Sequence, residues 1–192
     1  MPPLYLIMNK PAGYVCSAVS DSHKTVYELL PEELQDLVKN AKRGQRLHTI
    51  GRLDADTTGL LLFTTDGMFS HKIAACGGTP KIYLATLKTP VAAELQNQYI
   101  ECAARGLLLP AEKKAPQQKA EPARIEFLLP EQCRIIVTEG KFHEVRRIFK
   151  ALGNEVTVLQ RTAIGKLNLP SDLQPGCYRN MTLEEIKIAL QK

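Results

Sequence analysis

Two carboxylates and a guanidinium, the groups most able to do chemistry, stand in one short polar stretch, Gly51-Arg52-Leu53-Asp54-Ala55-Asp56-Thr57-Thr58-Gly59. The stretch runs straight into Leu60-Leu61-Leu62-Phe63, which reads as a buried strand, and Thr64-Thr65-Asp66-Gly67 ends that strand with a turn signal. A loop carries chemistry when a rigid element holds it in place. The strand would therefore aim Arg52 and Asp54. The same residues also suit a surface turn in which Asp56 or Thr57 bonds nearby backbone amides. The loop alone leaves both readings open.

A second concentration begins at Glu139-Gly140-Lys141 and continues from His143 to Gly153. Val145, Ile148, Phe149 and Leu152 recur at i, i+3, i+4 and i+7, one face of a helix, with Gly153 as its stop. Arg146 lies at the edge of that apolar stripe, where a packed stem can carry its guanidinium into a cleft. Arg147 points away from the stripe and, with Lys150 and His143, is expected on the open face, available to phosphates. The alternative is an ordinary amphipathic helix with a basic outer face. Between these stretches, residues 81–87 read as a strand, so Tyr83 shares a face with Lys81 and Ala85. A tyrosine beside a lysine can line a cleft, although a core tyrosine with a satisfied hydroxyl fits equally.

The remaining segments must hold these residues. Residues 4–8 read as a strand, followed by the turn Asn9-Lys10-Pro11-Ala12-Gly13, where Lys10 could meet a phosphate. Thr25 and Glu28 form a capping box, and Pro31 opens a helix with Leu34, Leu37 and Val38 inward. The basic cluster Lys39, Lys42, Arg43 and Arg46 follows and could flank the site. Residues 70–76 suggest a short helix or turn and residues 91–99 a helix. Residues 110–122 suggest a mobile polar excursion without periodicity. A hairpin is expected around Pro130-Glu131. Two strands are expected over 155–159 and 160–169, then a last helix capped by Thr182 and Glu185. Strands and helices interleave without regular βαβ spacing, so the class is α+β, mostly antiparallel.

A chain of 192 residues forms one large domain or two small subdomains. The net charge of +5 permits a nucleic-acid partner without requiring one. The five cysteines are scattered and never form C-x-x-C, which argues against a disulfide framework and a zinc site and for reduced thiols in a cytoplasm. Residues 4–8 are too short for a signal sequence, and no stretch reaches membrane-span length.

Taken in order, Gly51-Arg52-Leu53-Asp54 with Thr57, Gly59 and the leucine run, Lys81-x-Tyr83, Glu139-Gly140-Lys141-x-His143-Glu144-Val145-Arg146-Arg147 and Gly165 resemble the pseudouridine synthases, and within them the branch acting on ribosomal RNA. Asn9-Lys10-Pro11-x-Gly13 and Pro175-Gly176-x-Tyr178-Arg179 match the same branch. The match runs over essentially the whole chain. It implies a single catalytic domain over residues 1–192, arranged around a central active-site cleft. Members of the branch usually begin with a small RNA-binding domain of the S4 type, and the expectation here is a chain without one.

The resemblance implies isomerisation of a uridine in ribosomal RNA to pseudouridine, in the small-subunit RNA. Large-subunit RNA is the alternative target, and a non-catalytic RNA-binding assembly factor is the reading the basic clusters alone would support. No cofactor and no metal is expected. The partner is ribosomal RNA or a ribosome assembly intermediate, with no membrane, for a cytoplasmic monomer. Asp54 matches the catalytic aspartate. Arg146 matches its basic partner, since a neighbouring guanidinium favours an ionised carboxylate. Tyr83 matches the residue that packs on the target base. Arg52 matches the position that holds the flipped strand. Arg43, Arg46, Lys10, Lys81, Lys141 and Arg147 complete the expected RNA contacts, and Leu167, after Gly165, is expected to wall the pocket.

Overall fold

A computed structural model describes residues 2–20, 22–42, 44–74 and 79–191. In chain order the elements are β1 (Tyr5–Lys10), β2 (Tyr14–Val15), β3 (Lys24–Thr25), a 3-10 turn (Val26–Leu29), α1 (Glu32–Lys39), β4 (His48–Thr49), β5 (Thr58–Thr64) and α2 (Gly67–Ala74). Then come β6 (Lys81–Leu87), α3 (Ala93–Ala104), β7 (Leu108–Leu109), β8 (Gln118–Lys119), β9 (Arg124–Leu129), β10 (Gln132–Val137), α4 (Glu144–Ala151) and β11 (Val156–Ile164). The chain closes with β12 (Leu167–Asn168), β13 (Tyr178–Asn180) and α5 (Leu183–Ala189). The class is α+β, as the interleaved periodicities predict. Among the described residues no helix is long and apolar enough to cross a membrane.

The chain divides into two compact units, Met1–Thr79 with Arg161–Lys192, and Pro80–Gln160. In the first unit β1 lies between β13 and β5, antiparallel to both. Leu60, Leu61, Leu62 and Phe63 are all fully buried, so β5 has a covered face on each side. Burying such side chains contributes about 1.5–3 kcal/mol each, an upper range. Ile7, Ile50, Leu60, Leu62, Phe69, Ile73, Ile164 and Leu167 share one core there. The predicted capping boxes both form: Glu28 Oε1 accepts the Thr25 N–H at 2.7 Å, and Thr182 Oγ1 accepts the Glu185 N–H at 3.1 Å.

In the second unit β10 lies between β6 and β9, antiparallel to both. Its core joins Ala85, Leu87, Ile135 and Val137 on these strands to Val145, Ile148 and Phe149 on α4. The predicted α4 stripe is therefore the buried face. Gly153 ends this helix at φ +81°, a conformation that glycine adopts without a Cβ penalty.

Four expectations change. Asn9 and Lys10 are strand residues, not turn residues. The Asn9 N–H donates to the Cys177 carbonyl at 3.1 Å, and the strand runs on until Pro11 removes a donor. Residues 110–122 are not an unstructured excursion. β8 lies within it and pairs with β7 just before it, Glu112 and Ala115 bridge, and Ala115 and Ala120 are buried. The helix expected over 91–99 begins later and runs further, as α3: Ala92 is extended as its N-cap, and the Val91 N–H before it donates to the Pro130 carbonyl at 2.7 Å. The two strands expected over 155–169 are one nine-residue strand, β11, and the short β12. The chain does not break at Gln160: the neighbouring Arg161 side chain is buried, with Nε donating to the Leu60 carbonyl at 2.9 Å.

Candidate active site

In the first unit the stretch singled out in the sequence becomes a loop braced along its backbone. The β1–β5 register sets Lys10 opposite Gly59, the residue where the loop enters β5. Lys10 is fully buried, and its ammonium donates to the carbonyls of Ala55 (3.2 Å), Thr57 (2.8 Å) and Pro11 (3.0 Å). The Gly13 N–H donates to the same Ala55 carbonyl at 2.7 Å. On the other side of Asp54, the Leu53 N–H donates to Cys16 Sγ at 3.3 Å, and the thiol donates back to the Leu53 carbonyl at 3.5 Å. The Thr57 N–H closes the turn on the Asp54 carbonyl at 3.1 Å. Each residue beside Asp54 is thus tied to a buried group, and the Asp54 side chain is left half-buried.

Burial lowers the Lys10 pKa from its ordinary value, opposed by the nearby Cys16, Asp54 and Asp56. Burial likewise raises the Cys16 thiol, which keeps it protonated and able to donate. Lys10 is therefore no phosphate ligand. A phosphate cannot reach an ammonium enclosed by three carbonyls. Arg52 and Arg46 are exposed, Arg46 with Nε on the Ala41 carbonyl at 3.3 Å. Arg43 lies outside the described residues. Leu167 sits in the first unit's core at 4% exposure, so it has little surface to offer as a pocket wall. Gly165 beside it is held at φ +56°, where a Cβ would meet the Gln191 carbonyl oxygen at 2.6 Å.

The second unit carries Tyr83 and Arg146. Tyr83 stands mid-β6 opposite Ile135, half-buried, with its ring against that unit's core, which also takes Ala85 and Leu87 from the same strand face. Lys81 opens the same strand, half-buried. Arg146 is half-buried at the edge of α4, and its Nη1 donates to the Val156 carbonyl at 2.9 Å. That is the edge position the helical spacing predicts.

Arg147 contradicts its expected place on an open face. It is fully buried, with Nε on the Pro110 carbonyl (2.9 Å), Nη1 on Phe142 (3.2 Å) and Nη2 on Pro116 (2.7 Å). A helical wheel cannot see the 110–122 segment that folds over this side. Lys141 is paired with the buried Glu139 carboxylate, so its amine is not open to phosphate either. Lys150 is exposed as expected. The predicted set is therefore divided, Asp54 and Arg52 on the first unit and Tyr83 and Arg146 on the second. Sequence reasoning missed the bracing roles of Cys16, Lys10 and Arg161. The only trace of them was a lysine in a segment whose periodicity could extend the first strand.

A family model described as RNA pseudouridylate synthase matches residues 4–151. The chain is 42% identical over 188 residues to the ribosomal small subunit pseudouridine synthase A of Escherichia coli (strain K12), covering 96% of this chain and 73% of that protein. It is 39% identical to the enzyme of the same name from Yersinia pestis, covering 96% and 72%. A crystal structure of a pseudouridylate synthase superposes with a TM-score of 0.83 at 38% identity, covering 98% of this chain and 74% of that one.

Proposed function

This chain belongs to the RNA pseudouridylate synthase family, and on that premise we propose that it isomerises a uridine of small-subunit ribosomal RNA, with Asp54 as the catalytic carboxylate. Pseudouridine formation breaks the N1–C1′ bond, turns the base and joins C5 to C1′. C5 gives up its hydrogen as a proton and N1 takes one up, so composition and oxidation state are unchanged. One ionised carboxylate suffices. It either attacks C1′ or removes the C2′ proton so that the base leaves through a glycal.

The observation that carries this reading is the bracing of Asp54. Leu53 is held by Cys16, Ala55 by Lys10 and the Gly13 N–H, and Thr57 by Lys10. A carboxylate that must meet one carbon of a flipped nucleotide gains from such a fixed backbone, because small misplacements cost rate steeply. A surface turn would not need a buried lysine beneath it. Arg146 is assigned as the basic partner of Asp54, and Tyr83 as the ring that packs on the target base, a contact worth about 1–3 kcal/mol. The RNA-contact set contracts to Arg52, Arg46 and Lys81, with Arg43 retained from the sequence. The whole chain acts as one catalytic domain, as a cytoplasmic monomer on ribosomal RNA or an assembly intermediate.

The relatives named for the small ribosomal subunit favour that RNA as the target. The test is a pseudouridine map of both ribosomal RNAs after incubation with the protein, by chemical tagging and primer extension. The expected result is one new site in the small-subunit RNA with the native sequence and none with Asp54→Asn. Activity in Asp54→Asn overturns the mechanism, and a new site only in the large-subunit RNA overturns the target.

A further inference from the structure

The segment leading into α4 buries two carboxyl groups together, Glu139 at 7% and Glu144 at 5% exposure. Glu139 Oε1 accepts the Glu121 N–H at 2.8 Å, and Oε2 accepts the Lys141 ammonium. Glu144 Oε2 accepts the Lys141 N–H at 3.1 Å. Glu144 Oε1 is buried, and among the described residues no donor reaches it. Lys141 gathers the two carboxyls, with its N–H on Glu144 and its ammonium on Glu139. Two carboxylates are both acceptors and cannot bond, so a hydrogen bond between them requires a proton on one. Both Glu139 oxygens are already taken by donors. The proton therefore sits on Glu144, which turns its orphaned oxygen into a donor.

The titration directions agree with this placement. Burial, then the bond and charge of Glu139, raise Glu144 to about 8. Burial works against Glu139, yet its bonds from Glu144, Lys141 and the Glu121 N–H hold it below the ordinary value.

We propose that Glu139 and Glu144 share one proton, and that Glu144, as a neutral hydrogen-bond donor, is the positioning residue for Arg146. The inference rests on the role given to Arg146 above. Glu144 is the first residue of α4, and Arg146 follows two positions later. The residue before the helix, His143, is held at φ +48°, the one non-glycine positive φ among the described residues, and bonds Glu112 Oε2 through Nδ1 at 2.9 Å. Arg147 ties the same turn to Phe142, Pro110 and Pro116.

The helix entry is thus closed by polar bonds, and the Glu139–Glu144 pair is its proton-dependent member. Lys141 faces both carboxyls, and the Glu112–His143 pair and Arg147 lie at the same helix entry. Of these, Lys141 is already committed to Glu139. Removing the shared proton sets two buried negative charges against each other with one cation between them. The helix dipole welcomes a negative charge at this end but acts weakly beside a carboxylate in contact. The entry then opens, and Arg146 loses its fixed place.

The experiment measures single-turnover pseudouridine formation on ribosomal RNA from about pH 6 to about pH 9.5, for the native sequence, Glu144→Gln and Asp54→Asn. Glutamine reproduces a neutral donor at the same length and cannot ionise. The native rate is expected to hold to about pH 8 and then fall toward about tenfold per pH unit, in the chemical step and not in KM. Glu144→Gln is expected within about twofold of native at pH 7, with the alkaline fall abolished. The same alkaline fall in Glu144→Gln overturns the proposal, as does a rate loss beyond about tenfold at pH 7 in a folded Glu144→Gln.

Should that variant not fold, carboxyl carbon NMR of the native protein decides. One glutamate titrating near 8 is expected, and all glutamates titrating below about 6 overturns the shared proton. Asp54→Asn separates the two readings. It should be inactive at every pH while keeping the same carboxyl titration. An active Asp54→Asn would sink the function assigned to Asp54 and leave the carboxyl pair to be judged on its own titration.

Discussion

Cys16 holds Leu53 from both directions, accepting its N–H at 3.3 Å and donating to its carbonyl at 3.5 Å, and Leu53 is the residue immediately before Asp54. A thiol is a weak partner in each bond, but both backbone polar groups of one residue are engaged by a side chain that burial keeps protonated. Cys16→Ala removes both bonds and leaves a small void. It should cost about 1–2 kcal/mol of stability, read from the urea midpoint, and lower the rate of the chemical step more than it raises KM. An unchanged rate with lowered stability would reduce the thiol to a packing group.

Arg146 and Arg147 are neighbours in sequence with opposite fates. Arg147→Lys keeps the charge but loses the planar fork that serves three carbonyls. It should lower stability by about 3 kcal/mol or more, with no change in the salt dependence of RNA binding. Arg146→Ala should do the reverse, abolishing activity while moving the unfolding midpoint by under about 1 kcal/mol equivalent. Urea unfolding and RNA titrations at two salt concentrations check both. A destabilised but active Arg146→Ala would contradict the assignment.

Stability should also carry the signature of the buried carboxyl pair. Glu144 is raised from 4.5 to about 8 on folding, so its contribution is complete below its unfolded value and is lost as pH climbs through about 8. Glu139 is lowered from 4.5, so its contribution is present above that value and is lost as pH falls through the folded one. Urea midpoints should therefore fall between about pH 5 and about pH 9 in the native protein, and this arm should flatten in Glu144→Gln. An identical slope in both would place the alkaline loss in another group.

Much of the fold was legible because it depends on local pattern. The β5 leucine run, the α4 stripe with its glycine stop, the β9–β10 hairpin and both capping boxes are written in neighbouring residues, and each appears where the periodicity puts it. The edge position of Arg146 follows from the same arithmetic of 3.6 residues per turn. Lys10 and Arg147 were misread for one shared reason. A side chain's exposure is decided by what packs over it, and the carbonyls that receive these cations come from up to 47 residues away.

The sequence by itself determined the family, the α+β class and the loop that carries Asp54, since ordered motifs and short-range periodicity are properties of the linear chain. Only the tertiary structure decided which basic residues face outward and which brace the interior. It alone brought Cys16 to Leu53, Lys10 to the carbonyls of Ala55 and Thr57, and Glu139 to Glu144. Those pairings depend on desolvation and on partners remote in sequence, and neither is encoded in the spacing of neighbouring residues.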